Sequence, residues 1–412
     1  MKALILAGGR GERMGKITEN LPKPMLKIGG LPILERQINL LKRYGFKEVI
    51  ILTHYLSKII ERHFKNRVTY FQEKVPLGTV GGIKELEDKL KKDFIVLYGD
   101  KMLDIDINRL VKFHKDKKSA CTLVLHPTSH VEDSDLVEID KNKRIIAFHP
   151  KPHPPNRYFR NLVNAAVYVM SPKILKYIKR GVKADFGKDI FPKIVKKERL
   201  YGYITAEYIK DVGTPARLLE TRRDYQKGKI GRLNRKNKRR AVFLDRDGTI
   251  NEHIDDLADS KDFRLLPSSA KAIRKINDSE FLAIVITNQP AVAKKFLAVK
   301  TLDQIHKKME TLLAEDGAKL DAIYYCPHHP DYDLKCSCRK PEIGLIKKAE
   351  KEFNIDLKKS YFIGDSWRDI LCARNAGLTS IGVKTGRGCR GIDVRPDYLF
   401  SDLLRAVNST IK

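Results

Sequence analysis

Short apolar runs alternate with amphipathic segments along the first hundred residues. Each run has the length of a short buried strand, and these runs predict strands at 3–7, 49–53, 68–71 and 94–98. The segments between them carry apolar residues at helical spacing, as at Leu34, Ile38 and Leu41, which predicts helices around 34–44 and 56–64. Buried strands that alternate with helices indicate a mostly parallel sheet, and binding sites in such sheets lie at the carboxyl ends of the strands.

The same pattern starts again near residue 240. Apolar runs predict strands at 241–244, 281–286 and 361–363, and a helical period predicts a helix at 302–313. We therefore expect an α/β chain with two doubly wound domains, at 1–228 and 240–412. A basic linker at 229–239, loosened by Gly231 and Asn234, would separate them.

Composition narrows the function classes. The 412 residues include 81 Lys and Arg against 51 Asp and Glu, a net charge of +30 that can attract nucleic acid, membranes or small phosphorylated substrates. The basic segment 222–240 accounts for part of this charge, and a solvated linker is its simplest interpretation. The longest uncharged stretch, 281–293, is too short and too polar to span a membrane. We expect a cytosolic protein without a membrane span, and no nucleic-acid-binding motif is visible.

Glycines and cations follow the first predicted strand. Gly8, Gly9 and Gly11 let backbone N–H groups approach a phosphate closely, and Arg13 adds a bidentate charge. The loop lacks the third glycine of a dinucleotide-binding fingerprint and the Gly-Lys-Ser/Thr of a Walker A loop. A bare glycine turn is the alternative for this segment alone.

Further motifs follow in order: Pro22-Lys23-Pro24, Gly78-Thr79, Gly99-Asp100, Lys151-Pro152, Asn164-Ala165 and Asp211-Val212-Gly213. With this set, residues 1 to about 225 resemble the sugar-1-phosphate nucleotidyltransferases. The resemblance implies that a sugar 1-phosphate attacks the α-phosphorus of a nucleoside triphosphate and that pyrophosphate leaves. It leaves the base open, and guanine is favoured only through the closer family match described below.

The resemblance also assigns roles in this first site. Arg13 and Lys23 would hold the triphosphate as catalytic cations, and Asp100 and Asp211 would hold Mg²⁺, a hard cation that suits carboxylate oxygen. Lys151 would bind the sugar phosphate and Asn164 a sugar hydroxyl. The nucleotide-binding residues would be Gly8, Gly9, Gly11, Arg13, Lys23, Gly78, Thr79 and Asp100.

A second set of carboxylates follows the first strand of the C-terminal half. Asp245 and Asp247 are spaced so that one can attack phosphorus while the other transfers protons, although an acidic cation-binding turn would look alike. The motifs that follow are Thr287-Asn288, Arg339-Lys340 and Gly364-Asp365-Ser366-x-x-Asp369. In this order they resemble the haloacid-dehalogenase-type phosphatases.

That resemblance makes Asp245 the nucleophile and Asp247 the general acid and base. Mg²⁺ would be held by Asp245, Asp365 and the backbone carbonyl of Asp247. Substrate would be bound by Thr287, Asn288, Arg339 and Lys340.

Three cysteines and two histidines directly precede Arg339. In a reducing compartment Cys326, Cys336 and Cys338 with His328 form a Cys₃His set, the usual chemistry of a structural zinc site, and His329 is the alternative imidazole ligand. The placement resembles the D-glycero-D-manno-heptose 1,7-bisphosphate phosphatases. Histidinol-phosphate phosphatases of the same branch share the Asp-Arg-Asp-Gly-Thr motif and a similar zinc loop.

The two resemblances fit one reaction sequence. A heptose 1,7-bisphosphate phosphatase yields a heptose 1-phosphate, which a sugar-1-phosphate nucleotidyltransferase consumes, and the whole chain resembles bifunctional proteins that join these activities. The expected cofactors are Mg²⁺ and Zn²⁺, and the expected partners are a nucleoside triphosphate and sugar phosphates. Two alternatives remain: a mannose-1-phosphate guanylyltransferase fused to a histidinol-phosphate phosphatase, and a nucleic-acid-binding protein with inactive enzyme-like domains.

Overall fold

The computed structural model describes residues 1–73, 75, 77–132, 134–154, 157–333, 335–389 and 394–411. The chain forms two compact units, which we describe separately. The first comprises Met1–His126, Asp135–Lys151 and Leu162–Asn234. The second comprises Pro127–Ser134, Pro152–Asn161 and Arg235–Lys412.

Both units are built from strands joined by helices. The strands are β1 Lys2–Leu6, β2 Lys27–Ile28, β3 Leu31–Pro32, β4 Val49–Thr53, β5 Thr69–Gln72, β6 Phe94–Tyr98, β7 Lys101–Asp104, β8 Cys121–Pro127, β9 Leu136–Ile139, β10 Ile145–His149, β11 Leu162–Met170, β12 Leu200–Ile204, β13 Tyr208–Asp211, β14 Arg240–Leu244, β15 Phe281–Asn288, β16 Ala322–Cys326, β17 Tyr361–Gly364, β18 Thr379–Val383 and β19 Tyr398–Phe400. The α-helices are α1 Ile33–Arg43, α2 Ser57–Phe64, α3 Gly81–Glu85, α4 Ile107–Asp116, α5 Phe191–Ile194, α6 Pro215–Gln226, α7 Lys229–Arg232, α8 Ser269–Asp278, α9 Val299–Glu315, α10 Gly344–Phe353, α11 Trp367–Ala376 and α12 Leu403–Thr410.

The first unit contains a nine-stranded mixed sheet. Its main path runs β10-β9-β11-β6-β1-β4-β5, and β8 joins β11 to β12. Strand β1 pairs in parallel with β4 and β6, so the loops after these three strands meet at one edge of the sheet. Both faces of β1 are covered: Ala3 and Ile5 lie in one apolar cluster and Leu4 in another. This double coverage explains the unbroken apolar run in the sequence.

A separate two-stranded ribbon of β7 and β13 also belongs to the first unit. It is antiparallel, and its register places Lys101 opposite Asp211. The ribbon therefore joins the turn after β6 to a segment more than a hundred residues later in the chain, a pairing that the local sequence pattern does not predict.

The second unit contains a six-stranded sheet in the order β16-β15-β14-β17-β18-β19. All of its strand pairs are parallel. The carboxyl ends of β14, β15 and β17 are adjacent, and the polar motifs at Asp245, Asn288 and Asp365 stand at those ends. The predicted α/β class is confirmed for both units.

The segment predicted as a solvated basic linker is packed instead. It contains the short helix α7, in which Ile230 is buried. Arg235 and Arg239 are 5% and 2% exposed, and the guanidinium carbon of each lies 5.4 Å from the centre of the Phe353 ring. The aliphatic stems and cation–π contacts of the two arginines explain why basic residues are buried here.

A short segment from the first half of the sequence packs within the second unit. Arg160 donates to Asp303 on α9 at 2.8 Å, and the amide of Asn161 donates to the backbone oxygen of Glu310 at 2.6 Å. The second unit therefore contains more of the chain than the predicted 240–412. In the part of the chain that the structure describes, every helix is too short or too polar to cross a bilayer.

Candidate active sites

The glycine loop of the first unit follows β1 directly. Gly11 has a φ of 72°, and a Cβ there would lie 3.3 Å from the Cβ of Lys23, so this position favours glycine. The space around Gly9 is open where a Cβ would point. The loop thus has the geometry for close approach of a ligand to its backbone.

The Pro-Lys-Pro motif packs against the turn after β6. A Cβ on Gly99 would lie 3.0 Å from the backbone oxygen of Leu6 and 3.2 Å from Cγ of Pro24, so glycine permits this close approach. The contact holds Lys23 beside the turn, and its Nζ lies 2.6 Å from Oδ2 of Asp100. The structure therefore brings together two predicted site residues that are 77 positions apart.

Asp211 lies next to this pair. Its Oδ1 is 4.0 Å from Nζ of Lys23, and its Oδ2 forms an ion pair with Lys101, whose Nζ is also 3.8 Å from Oδ1 of Asp100. The side chain of Lys101 is 14% exposed. Sequence reasoning missed Lys101, although its place directly after the Gly99-Asp100 motif was a signal.

Charge dominates this first cluster. Burial alone would raise the pKa of Asp100, but Lys101, Lys23 and Arg13 outweigh it and lower that pKa to about 2. Oδ1 of Asp100 and Oδ1 of Asp211 are buried without a hydrogen-bond partner among the described residues. Two buried carboxylate oxygens without a hydrogen-bond partner are a donor set that fits a hard cation such as Mg²⁺.

Gln37, on α1, is a positioning residue that the sequence did not reveal. It is 1% exposed, and its amide nitrogen donates to the backbone oxygens of Tyr98 and Lys101 at 2.9 and 2.7 Å. These oxygens flank Gly99-Asp100. The side chain therefore holds the turn that carries Asp100.

Gly78 and Thr79 are fixed to a distant loop. A Cβ on Gly78 would lie 2.3 Å from the backbone oxygen of Ala184, and Gly78 has a φ of 76°. The hydroxyl of Thr79 donates to Asp185 at 2.9 Å. Packing against Ala184 therefore explains the glycine at position 78, and the nucleotide contact of Gly78 and Thr79 stays a prediction.

The two predicted sugar-binding residues have different surroundings. Asn164 donates to the hydroxyl of Tyr168 at 2.9 Å, which orients its amide. Lys151 is exposed in the loop after β10, where its backbone N–H donates to Asp135 at 3.1 Å. The contacts of both residues with a sugar phosphate stay predictions.

Glu73 was not singled out from the sequence. It follows β5, and its carboxylate lies between two glycine turns: a Cβ on Gly8 would be 3.1 Å from Oε2, and one on Gly82 would be 2.6 Å from Oε1. Burial raises the pKa of Glu73, against the opposing effects of the Gly82 N–H and of His54. A pair of acceptor oxygens therefore stands beside the glycine loop.

In the second unit, Asp245 follows β14, and its neighbours are a lysine and a second aspartate. Nζ of Lys340 lies 2.8 Å from Oδ1 of Asp245 and 2.6 Å from Oδ1 of Asp369. Burial, reinforced by the charges of Asp369 and Asp365, raises the pKa of Asp245 to about 8 in spite of Lys340. The motif containing Asp369 was visible in the sequence, but no role was assigned to that residue.

Asp365 completes the cluster. A Cβ on Gly248 would lie 2.4 Å from its Oδ2, and the N–H of Arg387 donates to the same oxygen at 2.6 Å. Gly248 has a φ of 81°, so both sterics and conformation explain the glycine of the Asp-x-Asp-Gly motif. Burial and the charge of Asp369 raise the pKa of Asp365 to about 7.

The three carboxylates form a set that fits a divalent cation. Asp245, Asp365 and Asp369 each offer an oxygen within 4.8 Å of the others. Burial is the main reason that the pKa values of Asp245 and Asp365 rise, and the charge of Asp369 adds to it in spite of Lys340. A bound Mg²⁺ would return both carboxyl groups to the ionised form.

Asp247 lies outside that set and is held by amides and a guanidinium. Buried Arg246 donates to both of its carboxylate oxygens at 2.9 Å, and the amide of Gln289 donates to Oδ2 at 2.8 Å. The same amide donates to the hydroxyl of Thr287 at 2.9 Å. Gln289 thus connects the predicted general acid to a predicted phosphate-binding residue.

The cysteine loop brings three thiols together. The Sγ atoms of Cys326, Cys336 and Cys338 are 3.0 to 3.5 Å apart. Tetrahedral zinc with bonds of about 2.3 Å would separate sulfur ligands by about 3.8 Å, so a small expansion would admit the ion. The three thiols fit a structural zinc site.

The histidine predicted as the fourth zinc ligand is not part of the thiol cluster. Among the described residues, the group of mutually close ligand atoms contains the three thiols and no imidazole nitrogen. Nδ1 of His328 is 2.8 Å from a carboxylate oxygen of Asp333. A carboxylate on Nδ1 leaves Nε2 for a metal, the usual arrangement of zinc-binding histidines, so His328 as a ligand stays a prediction.

Family comparisons cover both units. A family model described as "Nucleotidyl transferase" matches residues 2–228, and one described as a haloacid-dehalogenase-like hydrolase matches residues 337–406. These regions contain the Lys23–Asp100–Asp211 cluster and Asp365, respectively.

Two relatives and one crystal structure are each similar to one part of the chain. The chain is 39% identical over 155 residues to a D-glycero-beta-D-manno-heptose-1,7-bisphosphate 7-phosphatase from Haemophilus ducreyi, covering 36% of this chain and 85% of that protein. It is 31% identical over 221 residues to a D-glycero-alpha-D-manno-heptose 1-phosphate guanylyltransferase from Aneurinibacillus thermoaerophilus, covering 52% and 94%. The crystal structure of HddC from Yersinia pseudotuberculosis matches with 26% identity and a TM-score of 0.48, covering 54% of this chain and 99% of that one.

Proposed function

Since the chain belongs to the nucleotidyl transferase family and, through its C-terminal part, to the heptose-bisphosphate phosphatases, we propose that it is a bifunctional enzyme of nucleotide-activated heptose synthesis. The observation that carries the proposal is the presence of two separate carboxylate–lysine clusters in one chain. One contains Asp100 with Lys23, and the other contains Asp245 with Lys340.

The phosphatase step comes first in this proposal. Asp245 attacks the 7-phosphate of D-glycero-D-manno-heptose 1,7-bisphosphate, the bond from phosphorus to the sugar oxygen breaks, and Asp247 gives its proton to the departing oxygen. Asp247 then takes a proton from the water that hydrolyses the aspartyl-phosphate. Lys340 and Thr287 bind the transferring phosphoryl group, and a Mg²⁺ ion held by Asp245 and Asp365 would offset its charge.

The product, a heptose 1-phosphate, is a substrate for the first unit. Its phosphate oxygen forms a bond to the α-phosphorus of the nucleoside triphosphate, and the bond from that phosphorus to the leaving pyrophosphate breaks. Arg13 and Lys23 bind the phosphates, and the glycine loop approaches them through its backbone. Asp100 and Asp211 would hold the Mg²⁺ that accompanies the triphosphate.

We infer that the Glu73 carboxylate, which lies beside the glycine loop, would select guanine as the base. A carboxylate oxygen accepts hydrogen bonds, and the pairing edge of guanine presents two neighbouring donors, its ring N–H and its amino group. Uracil and thymine present one donor between two carbonyl oxygens, which a carboxylate would repel. We therefore expect GTP as the nucleotide, and Glu73→Gln to weaken GTP use relative to UTP.

The cysteines support a proposal for the compartment. All six are free, and three of them are clustered. Because clustered thiols oxidise readily outside a reducing compartment, we propose a cytoplasmic location.

The test separates the two reactions in one protein. Purified enzyme receives heptose 1,7-bisphosphate, Mg²⁺ and each nucleoside triphosphate in turn, and phosphate and pyrophosphate are measured separately. Asp245→Asn should abolish phosphate release and spare transfer to added heptose 1-phosphate, whereas Asp100→Asn should do the reverse. Loss of both activities in either folded variant would contradict the two-site proposal. Faster turnover of histidinol phosphate than of the heptose bisphosphate would favour the alternative fusion.

A further inference from the structure

The two carboxylate clusters have opposite charge balances. In the first unit, Lys23, Lys101 and Arg217 all lie within 4.0 Å of a carboxylate oxygen of Asp100 or Asp211. Three cationic side chains thus border the two carboxylates.

In the second unit the balance is reversed. Asp245, Asp365 and Asp369 face Lys340 as the one cation within 4.0 Å among the described residues. Three carboxyl groups thus face one cation. A free divalent ion is attracted to the second cluster and repelled by the first.

Lys101 is the residue that changes the first cluster. Its Nζ forms an ion pair with Oδ2 of Asp211 and lies 3.8 Å from Oδ1 of Asp100, so it bridges the two carboxylates that would hold the metal. Its side chain is largely buried and is set by the β7–β13 register, in which Lys101 pairs with Asp211. The ammonium therefore already supplies a positive charge at the position that suits Mg²⁺.

We propose that Lys101 is a positioning residue that acts as an internal counter-cation, so that the transferase site takes up its metal only together with the nucleoside triphosphate. The negative charges of the triphosphate draw the ammonium away from the carboxylates and reverse the local balance. Oδ1 of Asp100 and Oδ1 of Asp211, which have no hydrogen-bond partner among the described residues, are then open to the ion. This inference rests on the proposed nucleotidyl transfer, but it predicts a property of the protein without nucleotide.

A cross-strand ion pair that only stabilises the ribbon is the competing explanation. It would lower the stability of a Lys101 variant without altering metal binding. The two explanations therefore differ in how many divalent ions the nucleotide-free protein binds.

The experiment counts Mn²⁺ ions bound to the full-length, zinc-loaded protein in the absence of nucleotide, by electron paramagnetic resonance and calorimetry. The wild-type protein should bind one Mn²⁺, at the second unit. Lys101→Gln should bind a second Mn²⁺, at the first unit. The affinity of that site for Mn²⁺ should be at least about tenfold higher than the affinity of the same site in the wild-type protein. Asp211→Asn in the Lys101→Gln background should remove that second ion.

Two further variants control for charge and structure. Lys101→Arg keeps the positive charge and should bind one ion, as the wild type does. Lys210→Gln removes another lysine from the same ribbon, one that pairs with Asp224 at 2.8 Å, and should also bind one ion. If Lys101→Gln does not fold, Lys101→Thr takes its place.

Kinetics give an independent readout. The Mg²⁺ concentration for half-maximal transfer should fall in Lys101→Gln, whereas that for the phosphatase should not change. Two equally tight Mn²⁺ ions in the wild-type protein, or a single ion in Lys101→Gln, would overturn the inference. Failure of the proposed function would instead appear as absent nucleotidyl transfer, whatever the metal count.

Discussion

Asn288 and Lys340 exchange two hydrogen bonds. The amide nitrogen of Asn288 donates to the backbone oxygen of Lys340 at 3.1 Å, and the backbone N–H of Lys340 donates to Oδ1 of Asn288 at 3.0 Å. The end of β15 therefore fixes the peptide that carries the cation next to Asp245. Asn288, predicted from family resemblance to bind substrate, has at least this positioning role.

Asn288→Ala should lower phosphatase kcat by about 10- to 100-fold, because Lys340 loses the restraint that places its Nζ beside Asp245. Asn277→Ala is a matched control. Asn277 exchanges the same two hydrogen bonds with Lys319, at 3.0 and 2.8 Å, within the same unit. Equal losses of activity in the two variants would show a general effect on stability rather than positioning.

Gln37→Leu should lower nucleotidyl transfer by about tenfold or more, because the turn that carries Asp100 loses both hydrogen bonds from α1 and two carbonyl oxygens lose their partner. The phosphatase activity of the same protein serves as the control and should not change. Transfer at the wild-type rate would show that the turn holds its shape without Gln37.

Cys336→Ser should reduce bound zinc from about one ion per chain to a small fraction, because three close thiols supply most of the ligands. Phosphatase KM should rise, because Arg339, which donates to the backbone oxygen of His328 at 2.9 Å, follows the last cysteine directly. Elemental analysis of protein purified without added metal measures the zinc, and Cys121→Ala, in the first unit, is the control. Unchanged zinc in Cys336→Ser would rule out the site.

His328→Ala and His329→Ala distinguish the fourth ligand. Because Nδ1 of His328 lies 2.8 Å from Asp333, we expect zinc affinity to fall about 10- to 100-fold in His328→Ala and to remain in His329→Ala. The opposite order would identify His329 as the ligand.

Glu310 should make the second unit less stable as the pH rises. Burial raises its pKa to about 7, against the effect of Arg160, so the folded state holds a proton that the unfolded state releases near pH 4.5. Deprotonation of Glu310 should therefore lower the free energy of unfolding by about 3 kcal/mol between about pH 4.5 and pH 7. Above pH 7, Glu310 should cause no further change.

Glu310→Gln should flatten that dependence and raise the urea midpoint at pH 8. The single tryptophan, Trp367, lies on α11 and reports unfolding of the second unit by fluorescence. Glu315→Gln, on the exposed end of the same helix, is the matched control. An unchanged pH dependence in Glu310→Gln would show that another group controls it.

The sequence by itself determined the α/β class, the first strands of both units and the motifs that stand at their ends. Strands buried on both faces produce unbroken apolar runs, and sites of parallel sheets follow the carboxyl ends of such strands, so Asp100 and Asp245 could be located without coordinates. The cysteine spacing likewise predicted a thiol cluster, because zinc chemistry limits the ligand types.

Only the tertiary structure decided which distant residues meet. The pairing of Lys101 with Asp211 depends on the register between β7 and β13, and the role of Gln37 depends on how α1 packs beneath the turn after β6. Neither relationship has a local sequence period. The burial of Arg235 and Arg239 likewise depends on the position of Phe353, because basic residues pack on an aromatic ring only where the fold brings the ring to them.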